Sequence, residues 1–259
     1  MKDNETTQIN YDDYELVWQD DFDGTELNRE DWNVELHEPG WVNEEWQEYV
    51  DSEENIQIKD SRLVLIPVKK VAEDGTTTYT SGRVSTQNKK IFTYGLFEAR
   101  LRVPKGKGYL PAFWLMSNDE DIYGQWPRCG EIDIMEVLGD QPETLHGTIH
   151  FGNPHEQCQG SYTLENGTFS DDFHTFAVEW VPGEIKWYVD GKLFHSATKW
   201  HSTTEGKGTL PYPAPFNNEF YVILNLAVGG SWVGYPDENT DFTKEVFEID
   251  YVKVYQKKY

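Results

Sequence analysis

The sequence predicts an all-β protein built as a sandwich of two antiparallel sheets, and three observations lead to this prediction. Dipeptides that favour turns recur along the whole chain. Between them lie short segments of alternating polarity rich in Val, Ile, Thr, Tyr, Phe and Trp, whereas long amphipathic helical windows are hard to find. Many short strands at regular spacing are typical of a two-sheet sandwich. The turn dipeptides are Asp23-Gly24, Pro39-Gly40, Asp74-Gly75, Lys105-Gly106, Asn166-Gly167, Pro182-Gly183, Asp190-Gly191 and Gly229-Gly230.

The clearest strand segments cover residues 55–65, 95–103, 144–151, 175–188, 220–227 and 247–255. Two strand-like runs flank Pro182-Gly183 and predict a hairpin, and the turn at Asp190-Gly191 predicts another strand after it. The first and last strands look like partners, and no repeat, low-complexity tract or linker interrupts the chain. We therefore expect a single domain over residues 1–259, with its core at about 13–257 and a short polar N-terminal extension.

The charge balance argues against several classes of partner. The chain has 259 residues, with 22 Lys and Arg against 46 Asp and Glu, so its formal net charge is −24. A chain this acidic repels phosphate groups, which argues against nucleic acid or an anionic membrane as a partner. It is also poorly suited to sulfated or uronic-acid polymers. No run of about 18 apolar residues is present that could span a bilayer. A neutral ligand fits best.

The cysteines and the N-terminus give weaker indications. Cys129 and Cys158 are too few for a disulfide scaffold, and a bond between them and two free thiols remain equally open. The sequence contains neither CxxC nor HExxH, so a zinc site has no support in its motifs. The first ten residues are polar and lack the apolar stretch of a signal peptide. The protein is therefore expected either to be cytosolic or to have lost a leader.

The segment at residues 126–139, WPRCGEIDIMEVLG, carries the chemistry. Its three acids, Glu131, Asp133 and Glu136, alternate with apolar residues. A helix would be apolar on all sides and would not place the first two acids on one face. In a strand, those two acids point outward while the isoleucines beside them point into the core, so a strand fits better.

Strict alternation would turn Glu136 into the core, where a lone carboxylate is costly. A one-residue β-bulge near Met135 returns Glu136 to the outer face. Glu131 and Glu136 are then about 13 Å apart along the backbone. Side chains that lean together can approach the ~5–5.5 Å carboxyl separation of a retaining glycosidase, against ~6.5–9.5 Å in inverting enzymes. Asp133 adds a like charge, which raises one pKa as a general acid requires.

The alternative interpretation of these acids is a solvated face of an exposed strand, which is common in a chain with 46 acidic residues. The aromatic context favours the functional interpretation. Three tryptophans near turns or strand ends have rings that suit stacking on sugars, beside the acids: Trp114, Trp126 and Trp232. The combination suits a groove for a neutral polysaccharide.

At GEIDIME the sequence closely resembles glycoside hydrolase family 16, and within it the laminarinase-like endo-1,3-β-glucanases. Their signature is E-x-D-x-x-E, with an extra residue before the second Glu. Members specific for mixed-linkage glucan typically lack that residue, which here is Met135. The resemblance covers nearly the whole chain, through ELVWQDDFDG, GWVNEEWQEY, TSGRVST, YGLFEARLRVPKGKGYLPAFWLM, GTIHFG, NLAVGGSWVG and FEIDYVKVY.

The resemblance implies a β-jelly-roll with a concave substrate cleft and a retaining double displacement. By it, Glu131 is the nucleophile, Glu136 is the general acid/base and Asp133 assists the nucleophile. It also implies that His150 lies beside the acid/base in a supporting role. The residues that it places along the cleft are Asn43, Arg83, Trp114, Trp126 and Trp232. For Trp114, a place in the hydrophobic core remains open.

Family resemblance also suggests a structural calcium on the convex side, while catalysis needs no cofactor. Asp250 of the last strand would be a ligand, with backbone oxygens from near Glu15 and Asp60 or Ser61. Oxygen ligands of this kind suit Ca²⁺. One side-chain carboxylate is, however, a small ligand set.

The resulting functional hypothesis is a retaining endo-hydrolase of β-1,3-glucan, expected to be monomeric and, since its substrate is a polymer, secreted. A hydrolase of mixed-linkage β-1,3-1,4-glucan or of an agarose-type galactan is an alternative, because the sequence has LPAFW at 110–114 where WPAFW is usual and Val42 where Gly is common. A non-catalytic glucan-binding lectin is the other alternative. Binding-only relatives have lost the catalytic glutamates, whereas both are present here.

Overall fold

The computed structural model describes residues 8–204 and 206–258, and most of them form strands. In this part of the chain there are 21 strands and one short 3₁₀ helix at Tyr11–Asp13. No helix in these residues is long and apolar enough to cross a membrane. Most of the strands belong to two large antiparallel sheets, as the turn-rich sequence predicts.

The first sheet has the strand order β17-β16-β15-β10-β21-β5-β4, with β1 also paired to β21. Its strands are β1 (Tyr14–Asp20), β4 (Ile56–Ile58), β5 (Leu63–Leu65), β10 (Gly95–Arg102), β15 (His174–Val181), β16 (Glu184–Val189), β17 (Lys192–Ala197) and β21 (Phe247–Lys257). The pairing of β1 with β21 confirms the predicted partnership of the first and last strands.

The second sheet has the order β14-β13-β12-β11-β20-β8-β2, with β9 paired to β20. Its strands are β2 (Asn33–Val34), β8 (Arg83–Ser85), β9 (Ile91–Phe92), β11 (Tyr109–Ser117), β12 (Glu131–Val137), β13 (Thr144–Phe151), β14 (Glu156–Thr163) and β20 (Phe220–Val228). The acid-rich segment thus forms an inner strand of this sheet.

Two small sheets complete the described strands. β3 (Gln47–Tyr49), β6 (Val68–Val71) and β7 (Thr77–Ser81) form one, in which β3 runs parallel to β7. β18 (Thr203–Thr204) and β19 (Gly208–Thr209) form the other. The amide N–H of Trp46, just before β3, donates to the carbonyl of Val228 at 2.8 Å, which ties the three-stranded sheet to the end of β20.

The main hydrophobic core lies between the two large sheets and contains inward-facing residues of both. From the second sheet it takes Phe113, Leu115 and Ile132, and from the first Val178 and Trp187, all fully buried. The indole N–H of Trp187 donates to the backbone carbonyl of Asp133 at 2.7 Å. This bond joins the two sheets directly beneath the acid-rich strand.

The segment at 55–65 departs from its prediction as one strand. It forms two short strands, β4 and β5, because Asp60 and Ser61 adopt left-handed backbone conformations (φ 52° and 53°) in a tight turn between them. The hairpin around Pro182-Gly183 and the strand after Asp190-Gly191 are confirmed as β15, β16 and β17.

Both cysteines are free, so the disulfide alternative is not realised. Cys129 is buried, and the Cys158 sulfur lies 3.8 Å from Nε2 of His195 on the neighbouring strand β17. The predicted polar N-terminal extension falls largely on residues 1–7, which lie outside the described residues. The assignment of the whole chain to one domain therefore stays a prediction.

Candidate active site

A β-bulge in β12 brings its three acids to one face of the second sheet. Glu131 pairs with His150 and Asp133 with Thr148, and the register then shifts so that Glu136 pairs with His146. The three partners alternate along β13 and therefore share a face, so the three acids share it too. The predicted bulge is present.

The extra residue of the bulge is accommodated in the core. Ile134 and Met135 are consecutive and both are buried, with Met135 fully so. Two consecutive inward side chains allow the acids on both sides to face outward. On the other flank, β11 makes the same shift between Phe113 and Trp114, because Trp114 pairs with Asp133 and Phe113 with Met135.

Glu131 lies between an indole, an imidazole and a second carboxyl. Trp126 Nε1–H donates to its Oε2 at 2.7 Å, and His150 Nε2 lies 3.8 Å from its Oε1. Burial, followed by repulsion from Asp133, raises the pKa of Glu131 to about 8, although His150 and the Trp126 hydrogen bond oppose the rise. The indole N–H thus holds Oε2 of Glu131, while Oε1 faces His150.

Asp133 is 2% exposed and lies below Glu131 in the same face. Its side chain shares a hydrogen bond with Glu131, and burial raises the pKa of Asp133 also. A hydrogen bond between two carboxyl groups requires a proton on one of them. The pair therefore holds one proton at neutral pH, as closely spaced buried carboxyls do.

Glu136 has a strongly raised pKa. Burial is the largest cause, and the negative charges of Asp133, Glu131 and Glu45 add to it. The raised pKa favours the protonated form of Glu136, which is the state of a general acid. Glu45 is itself buried and accepts a hydrogen bond from Gln47 Nε2 at 2.7 Å.

His150 occupies a different position from the one expected. It lies beside Glu131 and Asp133, with Nε2 3.1 Å from Asp133 Oδ2, whereas the expectation placed it beside Glu136. The register is the reason, since the residue of β13 opposite Glu136 is His146, four residues nearer the start of the strand. Burial lowers the pKa of both histidines, so both imidazoles are neutral at neutral pH.

Two exposed tryptophans lie at opposite ends of the row of acids. Trp126, 46% exposed, contacts Glu131 through its N–H and lies 6.0 Å from the ring of His150. Trp232, 47% exposed, lies 5.4 Å from the ring of His146, opposite Glu136. The exposed rings thus flank the acids on both sides, as a groove for a sugar chain requires.

Trp114 lies on the acid-bearing face rather than in the core. Its neighbours Phe113 and Leu115 are fully buried, whereas Trp114 is half-buried and its indole N–H donates to Asn225 Oδ1 at 2.7 Å. The core alternative for Trp114 is therefore not realised.

Arg83 is buried and held between rings and an acid. Its Nε donates to Glu35 Oε2 at 2.5 Å, and its guanidinium lies 5.0 Å from the Trp114 ring and 5.2 Å from the Trp41 ring. The predicted residue Asn43 lies farther along: its carbonyl accepts from Ser231 N–H at 2.9 Å, and its amide is 3.5 Å from Glu45.

The structure adds three residues that the sequence reasoning did not single out. Trp41 is half exposed and stacks on His37 at 3.5 Å, next to Arg83. The negative charge of Glu45 raises the pKa of Glu136. His155 Nε2 lies 2.8 Å from His150 Nδ1. Trp41 and Glu45 lie within the GWVNEEWQEY motif, which was a usable signal, whereas nothing in the turn at His155 marks it.

Known proteins resemble this chain in sequence and in fold. Residues 43–253 match the model for glycosyl hydrolases family 16. The chain belongs to this family. A glucan endo-1,3-beta-glucosidase A1 of Niallia circulans is 37% identical over 93% of this chain, which spans only 38% of that protein. A glucan endo-1,3-beta-glucosidase of Cryptopygus antarcticus is 38% identical over 92% of this chain and 90% of its own length.

Solved structures of the family share the fold. The catalytic domain of an endo-1,3-beta-glucanase (laminarinase) from Thermotoga petrophila RKU-1 is 38% identical, with a TM-score of 0.79 over 95% of this chain and 99% of that one. The match confirms the all-β jelly-roll of two antiparallel sheets. The protein is thus a family 16 glycoside hydrolase by sequence and by fold.

The calcium ligands expected by family resemblance do not come together. Asp250 forms an ion pair with Arg100, 2.7 Å from its Nη1. Glu15 pairs with Gln256, six strand positions and so about 20 Å from Asp250 along β21. The cation of Arg100 occupies one side of the only predicted carboxylate ligand, and Glu15 lies out of reach. Asp250 and Glu15 therefore do not share a calcium site.

A different group has the chemistry to hold an ion. One ligand atom from each of Glu131, Asp133 and His150 lies within 4.8 Å of the others, and no other such group exists among residues 8–204 and 206–258. This group overlaps the carboxyl pair of the candidate active site.

Proposed function

We propose that the protein is a retaining endo-hydrolase of β-1,3-glucan that works by double displacement. The observation that carries the proposal is the bulge in β12, since it places Glu131 and Glu136 on one face with unlike surroundings. Glu131 receives an indole N–H and shares a proton with Asp133, whereas burial and negative neighbours strongly raise the pKa of Glu136. One acid is prepared to attack and the other to donate a proton.

The hydrogen bond between the two carboxyls raises the pKa of Glu131 and lowers that of Asp133, so the shared proton rests on Glu131. For the first displacement this proton passes to Asp133, and the carboxylate of Glu131 then attacks the anomeric carbon. The proton of Glu136 passes to the glycosidic oxygen as the bond from that oxygen to the anomeric carbon breaks. An ester between Glu131 and the sugar forms. Once Asp133 holds the proton, its O–H donates to Glu131 and orients the attacking carboxylate.

In the second displacement, Glu136 is a carboxylate and removes a proton from water. The water oxygen attacks the anomeric carbon, and the ester bond to Glu131 breaks, so the glutamate leaves as a carboxylate. Two inversions retain the anomeric configuration. The two carboxyl groups supply every proton transfer, so the mechanism requires no cofactor.

The substrate assignment rests on the family relatives and on the character of the groove. The relatives carry the names of glucan endo-1,3-beta-glucosidases. The acidic surface favours a neutral polymer, and the rings of Trp126 and Trp232 suit stacking on both sides of the bond to be cleaved. Because a polysaccharide of this size stays outside cells, we propose that the protein acts extracellularly.

The test is to incubate the protein with laminarin, lichenan and agarose and to follow the first products by NMR. We expect cleavage of laminarin into oligosaccharides with the β-anomer appearing first. Activity on agarose alone would refute the substrate class, and first products in the α-configuration would refute the retaining mechanism.

A variant separates catalysis from binding. Glu131→Ala should abolish turnover while laminarin binding persists, and the matched control Glu184→Gln, an acid on β16 of the other sheet, should keep full activity. Unimpaired turnover in Glu131→Ala would overturn the site assignment. If the unmodified protein bound laminarin without cleaving it, the lectin alternative would replace the hydrolase.

A further inference from the structure

The nucleophile end of the site has the dimensions of a transition-metal site. Tetrahedral Zn²⁺ with bonds of about 2.0–2.2 Å to nitrogen and oxygen sets its ligand atoms about 3.3–3.5 Å apart. His150 Nε2 lies 3.1 Å from Asp133 Oδ2 and 3.8 Å from Glu131 Oε1, so the two distances bracket that value. The third pair of ligand atoms, on Glu131 and Asp133, lies within 4.8 Å.

One of the three atoms lacks a partner. Asp133 Oδ2 is buried and forms no hydrogen bond within the described residues, although the His150 ring nitrogen is close to it. A buried carboxylate oxygen without a donor costs free energy, which a metal ion would recover. The atom lies 3.1 Å from His150 Nε2 and within 4.8 Å of a ligand atom of Glu131, so it belongs to the same group.

Groups outside the ligand set fix its orientation. His150 Nδ1 lies 2.8 Å from His155 Nε2, so His150 can donate from Nδ1 and leave Nε2 free as a ligand. Trp187 holds the backbone carbonyl of Asp133 from below. Metal-binding histidines usually have such a second partner.

We propose that Glu131 Oε1, Asp133 Oδ2 and His150 Nε2 form a binding site for Zn²⁺ or a similar transition-metal ion, with the fourth position open to the groove. Two carboxylates and one imidazole suit zinc, whereas Ca²⁺ takes six to eight oxygen ligands, which the site does not offer. Bound zinc occupies the lone pair with which Glu131 attacks. The metal is therefore an inhibitor of hydrolysis, a consequence that rests on the proposed function, while the binding itself does not.

The experiment is a calorimetric titration of the protein with ZnCl₂ in a buffer that does not chelate metals. We expect one ion per chain, at least tenfold weaker binding in His150→Gln, and unchanged binding in the control His174→Gln, whose histidine pairs with Asp190 in the other sheet. His155→Ala, which removes the partner of His150, should weaken binding about tenfold. MgCl₂ and CaCl₂ should give no comparable heat.

Circular dichroism shows whether the variants are folded, and inhibition supplies an independent readout. Zinc should inhibit hydrolysis in wild type and His174→Gln with a constant equal to the calorimetric dissociation constant. The proposal is overturned if the protein does not bind one Zn²⁺ per chain, or if folded His150→Gln binds Zn²⁺ as tightly as the wild type does. It is also overturned if Ca²⁺ binds as tightly as Zn²⁺. If the protein cleaves no glucan, the titration still decides the site, so the failure of the proposed function and that of the metal site are separable.

Discussion

Burial gives the three acids of β12 a chemistry that exposed acids of the same chain lack. Exposed Asp74 accepts a hydrogen bond from the amide of Thr76 at 2.9 Å, which lowers its pKa. Glu136 has the same functional group as any other glutamate, yet burial and its charged neighbours raise its pKa. The position of a carboxyl in the fold, rather than its abundance in the sequence, therefore decides whether it can act as an acid at neutral pH.

Glu45→Gln tests the electrostatic part of this argument. The negative charge of Glu45 raises the pKa of Glu136, so its removal lowers that pKa and Glu136 loses its proton at a lower pH. We expect the alkaline limb of the kcat/KM profile to move to lower pH. The control Glu44→Gln, an exposed neighbour, should leave the limb in place. An unmoved limb in Glu45→Gln would show that Glu45 does not influence the acid.

His155→Ala tests a positioning role. Without its contact at Nδ1, the His150 ring loses a fixed orientation beside Glu131 and Asp133. We expect kcat on laminarin to fall about three- to tenfold and KM to change less, because the contact with His150 at 2.8 Å is closer than the 5.0 Å separation from the Trp126 ring. His155→Gln, which keeps a polar group near Nδ1, should recover most of kcat. Equal losses in both variants would contradict a positioning role.

At this scale the sequence reveals the acids but not all of their partners. The alternation of polar and apolar residues locates Glu131, Asp133 and Glu136 on a strand. The cost of burying a carboxylate then requires the bulge. The partner of Glu136 depends on the register of β13 across that bulge, which sequence spacing does not determine, so His150 was placed at the wrong acid. The contact of His155 arises from a turn that carries no signal of its own.

At the scale of elements, the bulge can be tested by length. Deleting Met135 leaves Glu131, Asp133 and Glu136 in strict alternation, so all three still face outward and Glu136 still meets His146. We expect a folded protein with measurable hydrolysis, reduced roughly 100-fold by altered spacing, and a lower melting temperature, because a fully buried side chain is lost.

Deletion of Ile132 is the control for this change, because it lies before the bulge, where the ladder is regular. It moves Glu131 out of step with the other two acids, so activity should disappear. If both deletions abolished activity in folded proteins, the register argument would fail.

A glycine on β13, beneath the site, leaves room for Trp187 of the other sheet to approach closely. A Cβ at Gly147 of β13 would lie 2.5 Å from Trp187 Cδ1, closer than any real contact. Gly147→Ala should therefore displace Trp187 and lower stability by about 1–3 kcal/mol, or roughly 2–4 °C in melting temperature for each kcal/mol in a protein of this size. In the control Gly24→Ala, where the nearest atom is 3.4 Å away, the midpoint should stay unchanged.

The sequence predicts some strands well and others poorly. The strand predictions for 95–103, 144–151, 220–227 and 247–255 agree with β10, β13, β20 and β21, because alternation and flanking turns coincide there. The segment at 55–65 was mispredicted because its turn uses Asp60 and Ser61 in left-handed conformations, which a search for Gly or Pro does not detect.

For the whole molecule, net charge dominates the electrostatics. With 22 basic against 46 acidic residues, the folded chain repels itself. Several of its cations are used locally: Arg62, Arg100 and Arg102 gather around the Phe173 ring and pair with Glu248 and Asp250. Such pairs neutralise acids on one sheet but leave the excess charge elsewhere uncompensated.

The melting temperature should therefore rise with ionic strength. Going from about 10 mM to about 150 mM salt shortens the screening length from about 30 Å to about 8 Å, which weakens repulsion across the whole surface. The same salt weakens exposed ion pairs such as Arg29–Asp51 and Lys70–Glu54, but each is worth only about 0–1 kcal/mol. Repulsion among 24 uncompensated charges outweighs them, so we expect an increase of several degrees, measured by calorimetry in NaCl and in choline chloride. A fall in both salts would mean that the ion pairs outweigh the repulsion, and a rise in NaCl alone would indicate a bound cation rather than screening.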